Sequence, residues 1–325
     1  MDENSLTADP STWNGSNFVS VKQLTPEGLQ LLFSVAKDMK ALVRSEGGDE
    51  RLKHRVLANV FYEASTRTSC SFQAAMLRLG GKVVCVNESS SSVKKGETLG
   101  DTIRCLECYA DVTVLRHPVK GSAAEAASAT QKPVLNAGDG VGEHPSQALL
   151  DTFTIEDEFS STGGLQNKIV VLLGDLKHGR TVHSLAKLIA RSGISGVTLR
   201  YCSPDILRMP EDVKEEVAKY GLQQEEFTNL KAALNGADCL YVTRVQKERF
   251  ASEADYEAVK SIYIVDKEVM KAAPEKCIIL HPLPRVGEIK EEVDSDPRAA
   301  YFRQMENGMF VRMALLALVL GKSGK

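Results

Sequence analysis

The sequence predicts an α/β protein built of two doubly wound parallel-sheet domains. Three observations carry that expectation. The chain has 325 residues, enough for two domains at about 100–200 residues each. Short apolar runs of strand character alternate with longer segments of helical period, the pattern of a parallel sheet covered by helices on both faces. The alternation pauses at Ser160-Ser161-Thr162-Gly163-Gly164 and then restarts, which makes this stretch the candidate domain junction.

The elements follow in order. Thr25 and Pro26 suit the N-cap and first position of a helix running to about Arg44. Arg55 to Tyr62 reads as a buried strand through Val56, Leu57, Val60 and Phe61. Ser65 opens a helix to about Leu79, and Lys82 to Val86 is a second strand. Asn87 to Gly96 is a polar, serine-rich loop, followed by a helix to about Tyr109. Next come a strand from Asp111 to Leu115, an alanine-rich helix from Gly121 to Ala129 and a short strand from Pro133 to Asn136. A helix from about Pro145 leads toward Phe159. Beyond the glycines, strands are expected at Lys168 to Leu173, Gly196 to Tyr201, Asp238 to Val242, Ile262 to Val265 and Cys277 to Leu280. Helices include about Arg180 to Arg191 and Glu211 to Tyr220. The last segment, about Arg298 to Leu320, is a long helix with charged and apolar faces.

Composition narrows the function. Hydrophobic residues make up 43% and charged residues 26%, an ordinary globular balance. With 40 basic and 43 acidic residues the net charge is −3, which argues against non-specific nucleic-acid binding, because counterion release needs a basic surface. Seven cysteines are an odd number for a disulfide framework, and most sit in apolar stretches that suit small core residues. Cys105 and Cys108 form a CxxC within a helix and have no second pair, a poor metal site. The polar start has no apolar signal core, and the most apolar run, Met313 to Leu320, is too short to span a bilayer. The expectation is a soluble protein of a reducing, cytoplasmic compartment, without nucleic-acid or membrane partners.

In doubly wound folds ligands meet the loops at the carboxyl ends of strands. Phe61-Tyr62-Glu63-Ala64-Ser65-Thr66-Arg67-Thr68 passes from strand to helix with three hydroxyls and an arginine. It reads either as a phosphate cradle on a helix N-terminus or as an N-cap beside a solvent-exposed arginine. The loop Ser89 to Glu97 holds Lys94 and Lys95, as an anion-gripping lid or as a solubilising turn. Arg116-His117-Pro118 follows a strand directly. The glycine-rich run Asn136 to Gln147 ends in His144 and Gln147, about one helical turn apart. Arg180 occupies a helix N-terminus after Gly174, where GxGxxG is not satisfied, which disfavours a dinucleotide enzyme. Thr243-Arg244-Val245-Gln246 and His281-Pro282-Leu283-Pro284-Arg285 each follow further strands. Six cations at such loops of a mildly acidic chain point to a small polyanionic ligand.

Ser65-Thr66-Arg67-Thr68 resembles the carbamoyl-phosphate signature of the transcarbamoylases. With Val93 to Thr98, Arg116-His117-Pro118, His144-Pro145-Ser146-Gln147, Gly179 to Ser184, Thr243 to Arg249 and His281 to Arg285, the order and spacing resemble aspartate transcarbamoylase over roughly Val19 to Gly321. The resemblance extends to the corresponding domain of the eukaryotic multifunctional pyrimidine protein. Ser146 stands where the family usually has threonine, and Ser69 where bacterial chains have arginine.

The resemblance implies transfer of a carbamoyl group from carbamoyl phosphate to L-aspartate, with no cofactor and no metal. It implies a carbamoyl-phosphate domain, residues 1–150 completed by a C-terminal helix at 299–325, and an aspartate domain at 151–298, joined by crossing helices. It assigns the phosphate to Ser65, Thr66, Arg67 and Thr68, with Ser91 and Lys95 arriving from a neighbouring chain. Thr68, Arg116 and His144 would hold the carbonyl oxygen, and Gln147 with the Pro282 and Leu283 carbonyls the amide, Leu283 and Pro284 shaping that wall. Arg180, Arg244, Gln246 and Lys95 would bind aspartate. A homotrimer with shared sites, either free or as part of a larger multifunctional chain, completes the expectation. Ornithine transcarbamoylase shares the first domain, but Arg180 and Arg244 favour a second carboxylate over an ammonium group.

Overall fold

The computed structural model describes residues 5–87, 96–250 and 252–324, and for Glu248 the backbone only. The chain divides into two compact units, Met1–Leu150 with Glu306–Lys325, and Asp151–Met305.

In the first unit, α1 (Pro26–Glu46) starts where Thr25 accepts the Gly28 N–H at 3.1 Å and stops at Gly47, whose φ of 83° is left-handed. Strands β1 (Val56–Phe61), β2 (Lys82–Asn87), β3 (Val112–His117) and β4 (Val134–Asp139) alternate with α2 (Thr66–Arg78), α3 (Leu99–Glu107) and α4 (Ser122–Ser128). Helix α5 (Pro145–Glu158) begins after β4. The strands pair in parallel in the order β2-β1-β3-β4. Ala58 and Val60 of β1 and Leu115 of β3 pack with Ile103, Leu106 and Ala126 from the helices. That burial makes β1 and β3 the centre, whereas β2 is an edge with exposed or half-buried residues.

In the second unit, β5 (Ile169–Leu173), β6 (Thr198–Cys202), β7 (Gln223–Phe227), β8 (Cys239–Val242) and β9 (Ile278–Leu280) form a parallel sheet, ordered β7-β6-β5-β8-β9. Its helices are α6 (Arg180–Arg191), α7 (Glu211–Ala218), α8 (Leu230–Ala233), α9 (Glu253–Val259) and α10 (Lys267–Ala272). Strand β5 is apolar on both faces. Val170 and Leu172 enter a core with Val182, Leu185 and Ile189 of α6, while Val171 and Leu173 enter a second core with Ala233 and Met270. Two cores on one sheet are the physical content of double winding. Helix α11 (Tyr301–Val319), like α5, holds residues of both units.

Each sheet reverses its direction of growth once. In the first the reversal lies between β1 and β3, in the second between β5 and β8. The carboxyl ends of these strand pairs are the crevices where such folds bind ligands.

Several expectations are corrected. Ile262 to Val265 forms no strand: the Val265 N–H donates to the Glu288 carbonyl at 2.8 Å in an isolated bridge with Ile289, outside the sheet. The polar segment Gln223–Phe227 is a strand instead, because an edge position tolerates half-exposed Gln and Glu. Arg116 and His117 lie within β3, and Ala137 to Asp139 within β4, not beyond them. Ser160–Thr162 is a 3-10 turn inside the second unit, and the division between units falls within α5. Four of the seven cysteines, Cys70, Cys85, Cys105 and Cys108, are exposed and only Cys202, Cys239 and Cys277 are buried. From Phe310 onward α11 is buried all round, Arg312 included, so its exposed charges are confined to its first half.

Candidate active site

Each unit builds its own set of converging loops, and the first is mostly buried. Ser65 is the N-cap of α2, yet its hydroxyl does not cap the helix. Thr66 and Arg67 are exposed on the first turn, beside backbone N–H groups that have no carbonyl within the helix. Partial desolvation lowers the Arg67 pKa, and the guanidinium remains charged at neutral pH. Thr68, one residue on, is only 6% exposed.

Across the switch point stands β3. Arg116 pairs in register with Phe61, and its carbonyl accepts the Tyr62 N–H at 2.9 Å. The residue is 9% exposed, and its guanidinium lies 3.2 Å from the Glu63 carboxylate and 3.4 Å from the Ala137 carbonyl of β4. Asp139, at the end of β4, ties the neighbouring turns together. One oxygen accepts the Gly121 N–H at 2.9 Å and the other the Glu143 N–H at 2.8 Å. Gly140 must be glycine: its φ is 53°, and a Cβ would lie 2.4 Å from the Pro118 carbonyl oxygen. That turn delivers the chain to α5, where His144 and Gln147 are 4% and 5% exposed. The Ser146 hydroxyl lies 3.5 Å from His144 Nδ1.

The second unit repeats the device with different parts. After β5, Gly174 has a φ of 118°, and a Cβ there would lie 2.2 Å from the Thr243 carbonyl oxygen. The turns that follow β5 and β8 therefore touch. Asp175, 0% exposed, joins them: it accepts the His178 N–H at 3.0 Å, lies 3.1 Å from His178 Nδ1, and accepts the Gln246 N–H at 3.4 Å. Gln246 Nε2 in turn donates to the His178 carbonyl at 3.1 Å. Arg180 is the first residue of α6, half-buried at a helix N-terminus capped only by Gly179. Arg244 is half-buried two residues past β8. Beyond β9, Leu283 has a left-handed φ of 55° and a cis bond to Pro284.

The structure thus brings Ser65, Thr66, Arg67 and Thr68 to one side of the first switch point and Arg116 to the other. His144 and Gln147 share the following helix start. It gathers Arg180, Arg244 and Gln246 at the second switch point, with Leu283 and Pro284 after the adjacent strand. Ser91 and Lys95, with Lys94, lie outside the described residues. Sequence reasoning missed Glu63, Asp139 and Asp175. All three sit at the carboxyl ends of strands, but an acid at a site meant for an anion carries no signal until its buried partner is known. Among the described residues no cluster of His, Cys, Asp or Glu could hold a metal ion.

Known proteins resemble this chain in sequence and fold. The family model described as the carbamoyl-P binding domain of aspartate/ornithine carbamoyltransferase matches residues 16–157, and the Asp/Orn binding domain model matches residues 166–319. Multifunctional protein CAD of Squalus acanthias is 53% identical over 95% of this chain, which spans 14% of that protein. The chloroplastic aspartate carbamoyltransferase of Arabidopsis thaliana is 47% identical over 94% of the chain and 78% of its own length. The crystal structure of aspartate transcarbamoylase from Trypanosoma cruzi, in complex with carbamoyl phosphate and aspartate, superposes with a TM-score of 0.89 at 43% identity, covering 95% of this chain and 98% of that one. The two family models in tandem cover most of the sequence: the chain belongs to the aspartate/ornithine carbamoyltransferase family.

Proposed function

We propose that the chain transfers the carbamoyl group of carbamoyl phosphate to the amino group of L-aspartate, giving N-carbamoyl-L-aspartate and phosphate in de novo pyrimidine biosynthesis. One observation carries the reading: each sheet places two arginines at its switch strands, Arg67 and Arg116 in one unit, Arg180 and Arg244 in the other. The substrates together bring a phosphate and two carboxylates. The relatives named above support it.

In this reading Ser65, Thr66, Arg67 and Thr68 hold the phosphate on the α2 N-terminus. Thr68, Arg116 and His144 face the carbonyl oxygen. Gln147 and the Pro282 and Leu283 carbonyls take the amide. Arg180 binds the aspartate α-carboxylate, and Arg244 with Gln246 the side-chain carboxylate. The amine nitrogen attacks the carbonyl carbon, negative charge grows on the carbonyl oxygen, and the carbon–oxygen bond to phosphate breaks as the amine proton passes to the departing phosphate. Preorganised donors at that oxygen stabilise the charge. Orientation of the two substrates supplies up to about 7–11 kcal/mol.

The assembly in this reading is a homotrimer in which Ser91 and Lys95 serve the adjacent subunit's site. The exposed edge strand β2 ends at Asn87, immediately before that loop. The reading places this activity in the cytoplasm, either on a free chain or within a larger multifunctional one; the multifunctional relative, of which the chain spans 14%, supports the second form. An assay for carbamoyl-aspartate, with L-ornithine as the alternative acceptor, tests the reaction: product from aspartate alone supports it, and none from aspartate overturns it. Co-refolding inactive Lys95→Ala and His144→Ala chains tests the sharing: recovered activity supports it, and no recovery in mixtures that exchange subunits defeats it.

A further inference from the structure

The turn after β9 carries more buried polar structure than a connection needs. The His281 side chain is completely buried and bonded at both ring nitrogens. The Leu283 N–H donates to Nδ1 at 2.7 Å, and Nε2 lies 2.7 Å from Glu288 Oε1. A backbone N–H can only donate, so Nδ1 holds the lone pair and Nε2 carries the proton given to Glu288. The other Glu288 oxygen accepts the Val286 N–H at 2.8 Å. Burial alone would raise that carboxyl, but His281 and the Val286 N–H hold it below its ordinary value.

The same residue is gripped from behind. The His281 N–H donates to Gln304 Oε1 at 2.9 Å, Gln304 Nε2 donates to Asp151 Oδ1 at 2.6 Å, and the Tyr241 hydroxyl donates to Asp151 Oδ2 at 2.7 Å. Gln304, Asp151 and Tyr241 are each 0% exposed. Buried polar groups are costly unless their partners are aligned, so this relay admits few alternative geometries. What it fixes is the Pro282–Leu283 segment, including the left-handed Leu283.

We propose that His281, oriented by Glu288 and Gln304, is a positioning residue for the carbamoyl group: its imidazole holds the Pro282–Leu283 peptide so that the two carbonyls can accept from the carbamoyl NH2. The inference rests on the assignment of those carbonyls under the proposed function. His281 touches no substrate and acts through the peptide it holds.

Acetyl phosphate separates the possibilities, since it replaces the NH2 by a methyl and keeps the phosphate and carbonyl. Binding of both ligands is measured for wild type, His281→Ala, His281→Asn and Glu288→Gln, with the aspartate KM alongside. Wild type should prefer carbamoyl phosphate. His281→Ala should lose about tenfold or more of that preference, with acetyl phosphate affinity and aspartate KM nearly unchanged. His281→Asn keeps an acceptor for the Leu283 N–H and should restore most of it. Glu288→Gln, which preserves volume, should show an intermediate loss and serves if His281→Ala does not fold. Equal loss of both ligands, or an unchanged preference in His281→Ala and Glu288→Gln, would overturn the positioning role. A wild type indifferent between the two ligands would instead defeat the carbonyl assignment itself, and the inference with it.

Discussion

The two switch points share one topology and differ in how they hold charge. In the first unit Thr68, Arg116, His144 and Gln147 are all buried, and Arg116 is already paired with Glu63 and the Ala137 carbonyl. In the second, the cations Arg180 and Arg244 are half-buried, and the fully buried group is an acid, Asp175, which ties their loops together. A buried cation has lost solvation in advance and acts strongly on charge that develops beside it. A half-solvated cation binds a carboxylate with less effect on a barrier. Arg67, on the first turn of α2, is exposed, so the contrast is one between Arg116 and the second unit's pair; under the proposed function it fits a buried cation at the reacting carbonyl and half-buried cations that dock the amine's carboxylates.

Four experiments test that contrast. The largest effect is expected for Arg67→Ala, which should lower turnover by about 30- to 4,000-fold while circular dichroism stays native, because the side chain is exposed. Wild-type activity in a folded variant would remove the phosphate from α2. Next, Arg180→Ala should raise the aspartate KM by roughly 10- to 100-fold with little change in the KM for carbamoyl phosphate. A loss shared evenly between the two substrates would erase the division of labour. Asp175→Ala should strand the N–H groups of His178 and Gln246, costing about 1–3 kcal/mol of stability and raising the aspartate KM severalfold. Asp175→Asn, which keeps one acceptor, should lie between it and wild type, as melting curves and KM values would show.

The smallest effect concerns pH. Burial lowers the His183 pKa below 6.5, outweighing its bond to the Leu176 carbonyl. A depressed value in the folded state means stability that is full above pH 6.5 and is lost as pH falls through the folded value. The depressed Glu288 carboxyl adds a second loss of the same sign below pH 4.5. Hydrogen exchange across that range should therefore loosen the second unit before the first, and His183→Gln should flatten the upper part of the curve. Simultaneous loosening of both units would contradict it.

Where a signal is local the sequence carried it. The Thr25-Pro26 start of α1, the uniformly apolar β5 and the hydroxyl–arginine turn into α2 need only neighbouring residues to be read, since capping, burial on two faces and helix termini are properties of short segments. The order of the motifs along the chain likewise pointed to the family before any coordinates. Other features depend on residues far apart. Gln223–Phe227 is a strand only because Thr198–Cys202 offers it an edge, and Ile262 to Val265 fails as one because Cys239–Val242 pairs instead with Ile278–Leu280. Asp175 acquires its role from Gln246, 71 positions away, and His281 from Gln304 and Asp151. Residue types alone tell which groups can meet an anion, because charge and hydrogen-bonding capacity belong to the side chain. Which of them are buried, which acid restrains which loop and where each sheet reverses came from the folded chain, because desolvation and pairing depend on what distant segments bring alongside.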